Sequence, residues 1–156
     1  MATCGKTLVG VVIGASLVLG LSLSSFSVLS ARAASTDGDG DGVFIHITKG
    51  PQDAHSSLMA FQMARIMSED KKVLVYVDVK GISLLLKDAP DLQKEPFDSS
   101  RTALRKLIAK GVPVLACPGC LKAAHKKPED LMPGVKIASK EAFFGFTQGR
   151  ILTLDY

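Results

Sequence analysis

The chain is most informative about its fold at Lys72-Val73-Leu74-Val75-Tyr76-Val77-Asp78-Val79, where five apolar residues follow one another. A strand with one solvated face would alternate apolar and polar residues, so this run predicts a central parallel strand that is buried on both faces. Gly81 ends the run. A strand covered on both sides needs helices above and below it, which predicts an α/β domain with three layers.

Short apolar runs alternate with longer helical patterns on either side of that strand. The remaining strands are predicted at residues 43–48, 112–116, 135–138 and 150–155. Helices are predicted at residues 55–68 after an Asp53 cap, 82–86, from Ser99 or Ser100 to 110, 121–127 before Pro128, and 140–148 after a Ser139 cap. The pattern therefore predicts a single domain with a mostly parallel sheet of about five strands and helices on both faces. The Met-rich helix 55–68 is apolar over a wide arc, so it is predicted to be sandwiched within the domain or buried at a subunit contact.

The first 33 residues are typical of an export signal. Lys6 provides a positive start, residues 8–29 contain no charge, and Ala31-Arg32-Ala33 matches the small-x-small pattern at which signal peptides are cleaved. We therefore predict a signal peptide at residues 1–33, with a retained membrane anchor as the alternative. The expected location is periplasmic or secreted, or membrane-anchored if the segment is kept.

Residues 34–42 are predicted to be a flexible Asp/Gly linker before a domain at residues 43–156. The Asp-Gly repeat imitates a calcium loop, but an EF-hand loop that opens at Asp37 would close with Glu where this chain has Thr48. Without residues 1–33 the chain has 17 basic residues against 15 acidic ones, a net charge of +2. This ordinary charge and the scattered lysines argue against binding to nucleic acid.

Cys117-Pro118-Gly119-Cys120 follows the predicted strand 112–116 directly and precedes a predicted helix. A helix N-terminus favours a thiolate over a thiol, so Cys117 and Cys120 are the candidate catalytic residues. In a parallel sheet the loop 48–55, the turn 78–81 and the cysteine pair share the carboxyl edge of the strands, which is where ligands bind. A thioredoxin-like fold is disfavoured, because the cysteine pair of that fold follows an early strand. In this chain two predicted strands and at least two predicted helices come before the pair.

Other interpretations of the cysteine pair stay open. Inert buried thiols are one, and a disulfide is another, although closing so short a loop stabilises little and is more typical of redox activity. A metal site would recruit His125 as a third ligand beside the two cysteines. Residues that could line the site are His55, Lys80, Lys122 and His125, whereas His46 is expected to be packed within its strand.

Several segments resemble the DsrE/DsrF-like family, which includes sulfur-relay subunits. They are Ile47-Thr48-Lys49-Gly50-Pro51, residues 73–81, residues 111–117 ending in Cys117, and residues 149–156. The resemblance implies a five-stranded parallel domain that assembles into trimers or hexamers. It also implies that Cys117 carries a persulfide.

Cys120 is additional to the single-cysteine relay pattern, and a second thiol could attack a Cys117 persulfide and release sulfide. The chain is thus predicted to handle sulfur with Cys117 as carrier and Cys120 as resolving thiol, with sulfurtransferase-like or thiol-redox activity. Its expected partners are small sulfur species or a partner thiol protein, and no cofactor is expected. A thiol–disulfide redox protein and a non-catalytic metal-binding or assembly module are the alternatives.

Overall fold

The computed structural model describes residues 40–156, which form one five-stranded parallel sheet with helices packed on it. The strands are β1 (Gly42–Ile47), β2 (Lys72–Val77), β3 (Val114–Ala116), β4 (Lys136–Ile137) and β5 (Ile151–Asp155). Their order is β4-β3-β2-β1-β5, and each neighbouring pair is parallel. The predicted fold class is confirmed, and β2 occupies the middle of the sheet.

Residues 40–156 contain four α-helices, α1 (Ala54–Met67), α2 (Ser100–Ala109), α3 (Pro118–Ala123) and α4 (Lys140–Phe146). In the same range, 3₁₀ turns cover Pro51–Asp53, Val79–Leu85 and Pro128–Asp130. The side chains of Asp53, Ser99 and Ser139 each accept a hydrogen bond from a backbone N–H three residues later. Such caps satisfy N–H groups that have no partner inside the helix. The caps predicted at Asp53 and Ser139 are confirmed, and Ser99 rather than Ser100 caps α2.

One face of the sheet, here called the core face, packs against α1 and α2. Its strand residues are Val43, Ile45, Ile47, Val73, Val75, Val77, Val114 and Ala116. The helices add Ala60, Phe61 and Ala64 from α1 and Ala103, Leu104 and Leu107 from α2. The Met-rich helix is therefore covered mainly within the domain, although Ile66 on its outer side is exposed.

The other face, here called the aromatic face, carries the alternate strand residues Phe44, His46 and Tyr76 together with Phe143 of α4. The Phe143 ring lies 5.2 Å from the Tyr76 ring in an edge-to-face arrangement and 6.2 Å from the Phe44 ring. Such tilted contacts are the preferred geometry of aromatic pairs. Helix α4 therefore covers this face, while the neighbouring Phe144 remains 68% exposed.

Several predicted boundaries are corrected by backbone conformation. The predicted helix 82–86 is part of a 3₁₀ turn that begins at Val79, whose φ of 43° ends β2 two residues earlier than expected. Helix α3 begins at Pro118 and ends at Ala123, before His125 with φ of 55°, so Pro128 starts a 3₁₀ turn instead of ending the helix. No helix among residues 40–156 is long and apolar enough to span a membrane. The predicted signal peptide and residues 34–39 of the predicted linker lie outside the described residues.

Candidate functional site

Cys117 lies where β3 ends and α3 begins. Its backbone N–H continues the sheet by donating to the Val77 carbonyl at 3.0 Å, and its Sγ accepts a hydrogen bond from the Cys120 N–H at 3.2 Å. Cys117 is thus the N-cap residue of α3, with Pro118 in the first turn, a position where the missing proline N–H costs nothing. The cap holds the Cys117 sulfur at the carboxyl edge of the sheet, where it is half-buried.

The two thiols differ in acidity because their surroundings differ. Partial burial alone raises the pKa of Cys117, but hydrogen bonds from the Cys120 side chain, the Tyr76 hydroxyl and the N–H groups of Gly119 and Cys120 outweigh it and lower the pKa. The neighbouring Cys117 sulfur, followed by burial, raises the pKa of Cys120. Cys117 is therefore the sulfur that ionises first, and Cys120 keeps its proton. Because α3 has only six residues, the donors beside the sulfur, rather than a long helix dipole, account for this order.

The Cys120 sulfur is held by the turn that follows β2. The Val79 N–H donates to Cys120 Sγ at 3.2 Å. Val79 adopts a left-handed φ of 43°, which is unfavourable for a β-branched residue, and its side chain is 60% exposed. Gly81 permits the turn to pack closely, since a Cβ there would lie 2.7 Å from the Ile47 carbonyl oxygen. The Gly81 N–H donates to the Thr48 carbonyl at 3.0 Å, so the three predicted edge segments do meet.

Tyr76 connects the cysteine pair to the aromatic face. Its hydroxyl interacts with the Cys117 side chain and lowers the pKa of that thiol, and its ring stacks on the His46 ring at 5.5 Å with an angle of 20° between the ring planes. Burial, followed by the hydrogen bond to Cys117, raises the pKa of Tyr76. The phenol therefore stays protonated beside the Cys117 sulfur.

His46 lies between two carboxylates. Its Nδ1 is 2.9 Å from Asp155 Oδ1, and its Nε2 is 3.1 Å from Asp78 Oδ1. The approach of Nε2 to Asp78 misses hydrogen-bond geometry although both atoms are buried, so it is a close electrostatic contact rather than an aligned hydrogen bond. Burial lowers the pKa of His46, but Asp78 and Asp155 outweigh burial and raise it.

The other predicted site residues do not contact the sulfurs. Lys122 and His125 are exposed, on α3 and just beyond it, and His55 packs on the Phe97 ring at 5.6 Å. Lys80 lines an open pocket of about 310 Å³ with Val79 and Ala124, next to the turn that contacts Cys120. Of these four residues, Lys80 is therefore the one that lines a pocket beside the Val79 turn, although neither cysteine lines that pocket.

A second pocket of about 300 Å³ includes Lys71, Lys72 and Lys110 and lies at the amino-terminal edge of the sheet, away from the cysteines. Within residues 40–156 no group of three or more His, Cys, Asp or Glu side chains is placed to hold a metal ion. The alternative of a Cys117–Cys120–His125 metal site is therefore not assembled in the described domain.

The sequence patterns did not indicate Tyr76, Asp78 or Asp155 as site residues, and His46 was expected only to be packed within its strand. The strand alternation alone puts Tyr76 and Asp78, two residues later and just after β2, on the same side of the sheet. Their position beside Cys117 follows only from the register, which aligns Tyr76 with Leu115, two residues before Cys117.

The fold and site together define a parallel α/β domain with a half-buried cysteine of lowered pKa at the end of the inner strand β3. Residues 41–151 match the model of the DsrE/DsrF-like family, so the chain belongs to that family. This membership indicates a function related to sulfur relay. No functionally curated protein matches the chain significantly in sequence.

Two solved structures share the fold. The ychN protein from E. coli is 18% identical, with a TM-score of 0.59 over 73% of this chain and 99% of its own. A protein of unknown function, MTH1491 from Methanobacterium thermoautotrophicum, is 20% identical, with a TM-score of 0.56 over 74% of this chain and 98% of its own. At these identities the likeness concerns the fold alone.

Proposed function

We propose that this protein carries sulfur as a persulfide on Cys117 and that Cys120 is its resolving thiol. The observation that carries the proposal is the unequal pair of hydrogen-bonded cysteines, in which the pKa of Cys117 is lowered and that of Cys120 is raised. A sulfur carrier needs one sulfur that attacks and a different group that acts later. Two equivalent thiols would not separate these roles.

Loading begins with the Cys117 thiolate, which attacks the terminal sulfur of a donor persulfide. The S–S bond of the donor breaks, the donor leaves as a thiolate with the electron pair, and the terminal sulfur stays on Cys117. The lowered pKa of Cys117 makes more of its thiolate available at a given pH. The open edge beside Val79 and Lys80 is where a small polysulfide or a partner thiol protein would approach.

Release can follow two routes. An acceptor thiolate can take the terminal sulfur and leave the Cys117 thiolate behind. Alternatively, the Cys120 thiolate attacks Cys117 Sγ, the terminal sulfur leaves as hydrosulfide, the proton of Cys120 ends on that hydrosulfide, and a Cys117–Cys120 disulfide forms. A partner dithiol must then reduce the disulfide before the next cycle.

We also propose that the protein is exported to the periplasm or secreted, and that it forms homo-oligomers of three or six subunits. The charge-free segment 8–29 and the Ala31-Arg32-Ala33 pattern support export. The Phe144 ring on α4, which is 68% exposed, supports assembly. A retained N-terminal segment would anchor the protein to the membrane instead.

A thiol–disulfide redox protein is the second candidate. It is favoured by the closeness of the two cysteines, whose hydrogen bond from the Cys120 N–H to Cys117 Sγ is 3.2 Å long, because neighbouring thiols can form a disulfide without any sulfur cargo. Such a protein would pass electrons between dithiols and would not retain sulfur.

Intact-mass spectrometry of the full chain, reduced and then exposed to polysulfide, separates these functions. We expect a gain of about 32 Da that requires Cys117 and lasts longer in Cys120→Ser than in the wild type. Peptide mapping assigns the adduct, since the full chain also contains Cys4. If the wild type loses two hydrogens and never gains sulfur, the carrier function is wrong and the thiol–disulfide redox function takes its place.

A further inference from the structure

We propose that Tyr76 is a further catalytic residue, whose hydroxyl stabilises the Cys117 sulfur as an anion each time sulfur is loaded or unloaded, and that His46 positions it. The inference rests on the proposed sulfur chemistry at Cys117 and adds a group that neither the cysteine motif nor the family assignment contains. It is carried by the sheet register, which puts Tyr76 beside Cys117 on the same side of the sheet, and by the stacking of Tyr76 on His46. The interaction of the Tyr76 hydroxyl with Cys117, which lowers the pKa of the thiol, supports it.

The sheet register places Tyr76 where this role requires it. Tyr76 in β2 is aligned with Leu115 in β3, so Cys117 follows two residues later on the same side. Phe143 contacts the Tyr76 ring edge-on at 5.2 Å, and His46 stacks on it at 5.5 Å. The ring is thus held from two sides, and its hydroxyl is presented to one sulfur.

The Tyr76 hydroxyl acts at the S–S bond of the Cys117 persulfide, which breaks when sulfur is unloaded. When an acceptor thiolate attacks the terminal sulfur of a Cys117 persulfide, the S–S bond breaks and Cys117 Sγ leaves with the electron pair. A donor beside that sulfur stabilises the developing charge, since hydrogen bonds to anions are about twice as strong as neutral ones. The phenol keeps its proton throughout, so the step needs no further acid.

His46 is the positioning residue in this arrangement. Asp155 from β5 and Asp78 from the end of β2 face its two nitrogens, and the Tyr76 ring, with the two cysteines beyond it, faces its plane. The hydrogen bond with Asp155 and the close contact with Asp78 orient the imidazole ring against Tyr76. Its positive charge, when present, also offsets Asp78, whose charge otherwise raises the pKa of Cys120.

The chain contains only two tyrosines, which supplies a matched control. We expect Tyr76→Phe to shift ionisation of the Cys117 thiol to higher pH and to slow both its alkylation and sulfur unloading about threefold to tenfold. Tyr156 follows β5, which β1 and β2 separate from β3 and the cysteines. Tyr156→Phe removes a hydroxyl from this half-buried ring and should leave both rates unchanged. Thiolate absorbance and stopped-flow sulfur transfer are the measurements.

Fluorination tests the same hydroxyl without removing it. In the Tyr156→Phe background, 3-fluorotyrosine incorporation labels Tyr76 alone and makes its phenol a stronger donor with almost the same shape. We expect Cys117 to ionise at lower pH and unloading to become faster. This variant keeps the proposal testable if Tyr76→Phe does not fold.

The positioning role of His46 has its own measurement. We expect the pH profile of Cys117 alkylation to contain two ionisations in the wild type and one in His46→Gln, whereas His55→Gln keeps both. A merely structural His46 would change the rate without removing an ionisation.

Two results would overturn the inference: Tyr76→Phe rates equal to those of Tyr156→Phe, or no response to fluorination. These failures are distinct from failure of the proposed function. If the wild type never takes up sulfur but Tyr76→Phe still shifts the Cys117 titration, the carrier function is wrong and Tyr76 still activates the thiol. If the wild type carries sulfur and Tyr76→Phe matches the control, only the role of Tyr76 is wrong.

Discussion

The core face and the aromatic face are built from alternate residues of the same two strands, yet one forms the hydrophobic core and the other carries residues of the candidate site. On β1, Ile45 and Ile47 are fully buried against α1 and α2, while His46 between them lies half-buried between carboxylates. On β2, Val75 and Val77 alternate with Tyr76 in the same way. Folding therefore constrains one set of positions and leaves the other set available for chemistry.

The largest expected effect is the difference in stability loss between a substitution on α1, at the core face, and one on α4, at the aromatic face. Phe61 of α1 is 1% exposed within the core, so Phe61→Ala should lower the free energy of unfolding by about 3–5 kcal/mol through lost burial and a new cavity. Phe144→Ala on α4 should change it by about 0.5 kcal/mol or less in the monomer. Chemical denaturation of both variants makes the comparison.

A large loss of unfolding free energy in Phe144→Ala would contradict the predicted difference between the two faces. If that loss appears only at high protein concentration, it would show that the aromatic face is covered by another subunit.

A smaller effect concerns His46. Because its pKa is raised in the folded protein above 6.5, the folded state holds the His46 proton more tightly than the unfolded state. Its contribution to stability is therefore fully present below about pH 6.5 and is lost as pH rises through the raised pKa. At pH 6 we expect His46→Gln to be less stable than the wild type by about 1 kcal/mol.

Urea unfolding at several pH values tests this expectation, and the difference between wild type and His46→Gln isolates His46 from the other titrating groups. His55→Gln, at an exposed position on α1, is the matched control and should give no such pH-dependent difference. A difference that stays constant from pH 5 to pH 9 would contradict the carboxylate contacts described above.

The smallest effect concerns the turn that joins the two faces at the cysteine pair. Val79 costs energy in its left-handed conformation and buries little, so Val79→Gly should raise the free energy of unfolding by about 0.5–1 kcal/mol. Val77→Gly, two residues earlier and fully buried in the core, should lower it instead. If Val79→Gly also destabilises the protein, the turn is not strained, and thermal unfolding decides between the two results.

Local patterns predicted most of the fold and half of the site. The β2 run, the caps and the helical spacings act over a few residues, so all five strands and the capped helices α1, α2 and α4 were predicted, with errors mainly where Val79 and His125 take unusual φ values. The cysteine pair is likewise a local motif. Tyr76, His46 and Asp155 come from three separate strands, and only strand order and register bring them together. No local pattern contains that information.

The contact between His46 and Asp155 has a consequence for how the domain folds. It joins residues 109 positions apart in the chain, as does the ion pair of Asp41 with Arg150 at the other end of the same strand pair. Pairing β5 with β1 therefore closes the longest loop in the sheet, and closing long loops is a slow part of folding. We expect β5 to dock late, so an incompletely folded domain would expose its cysteines before the carboxylate of Asp155 is in place beside His46.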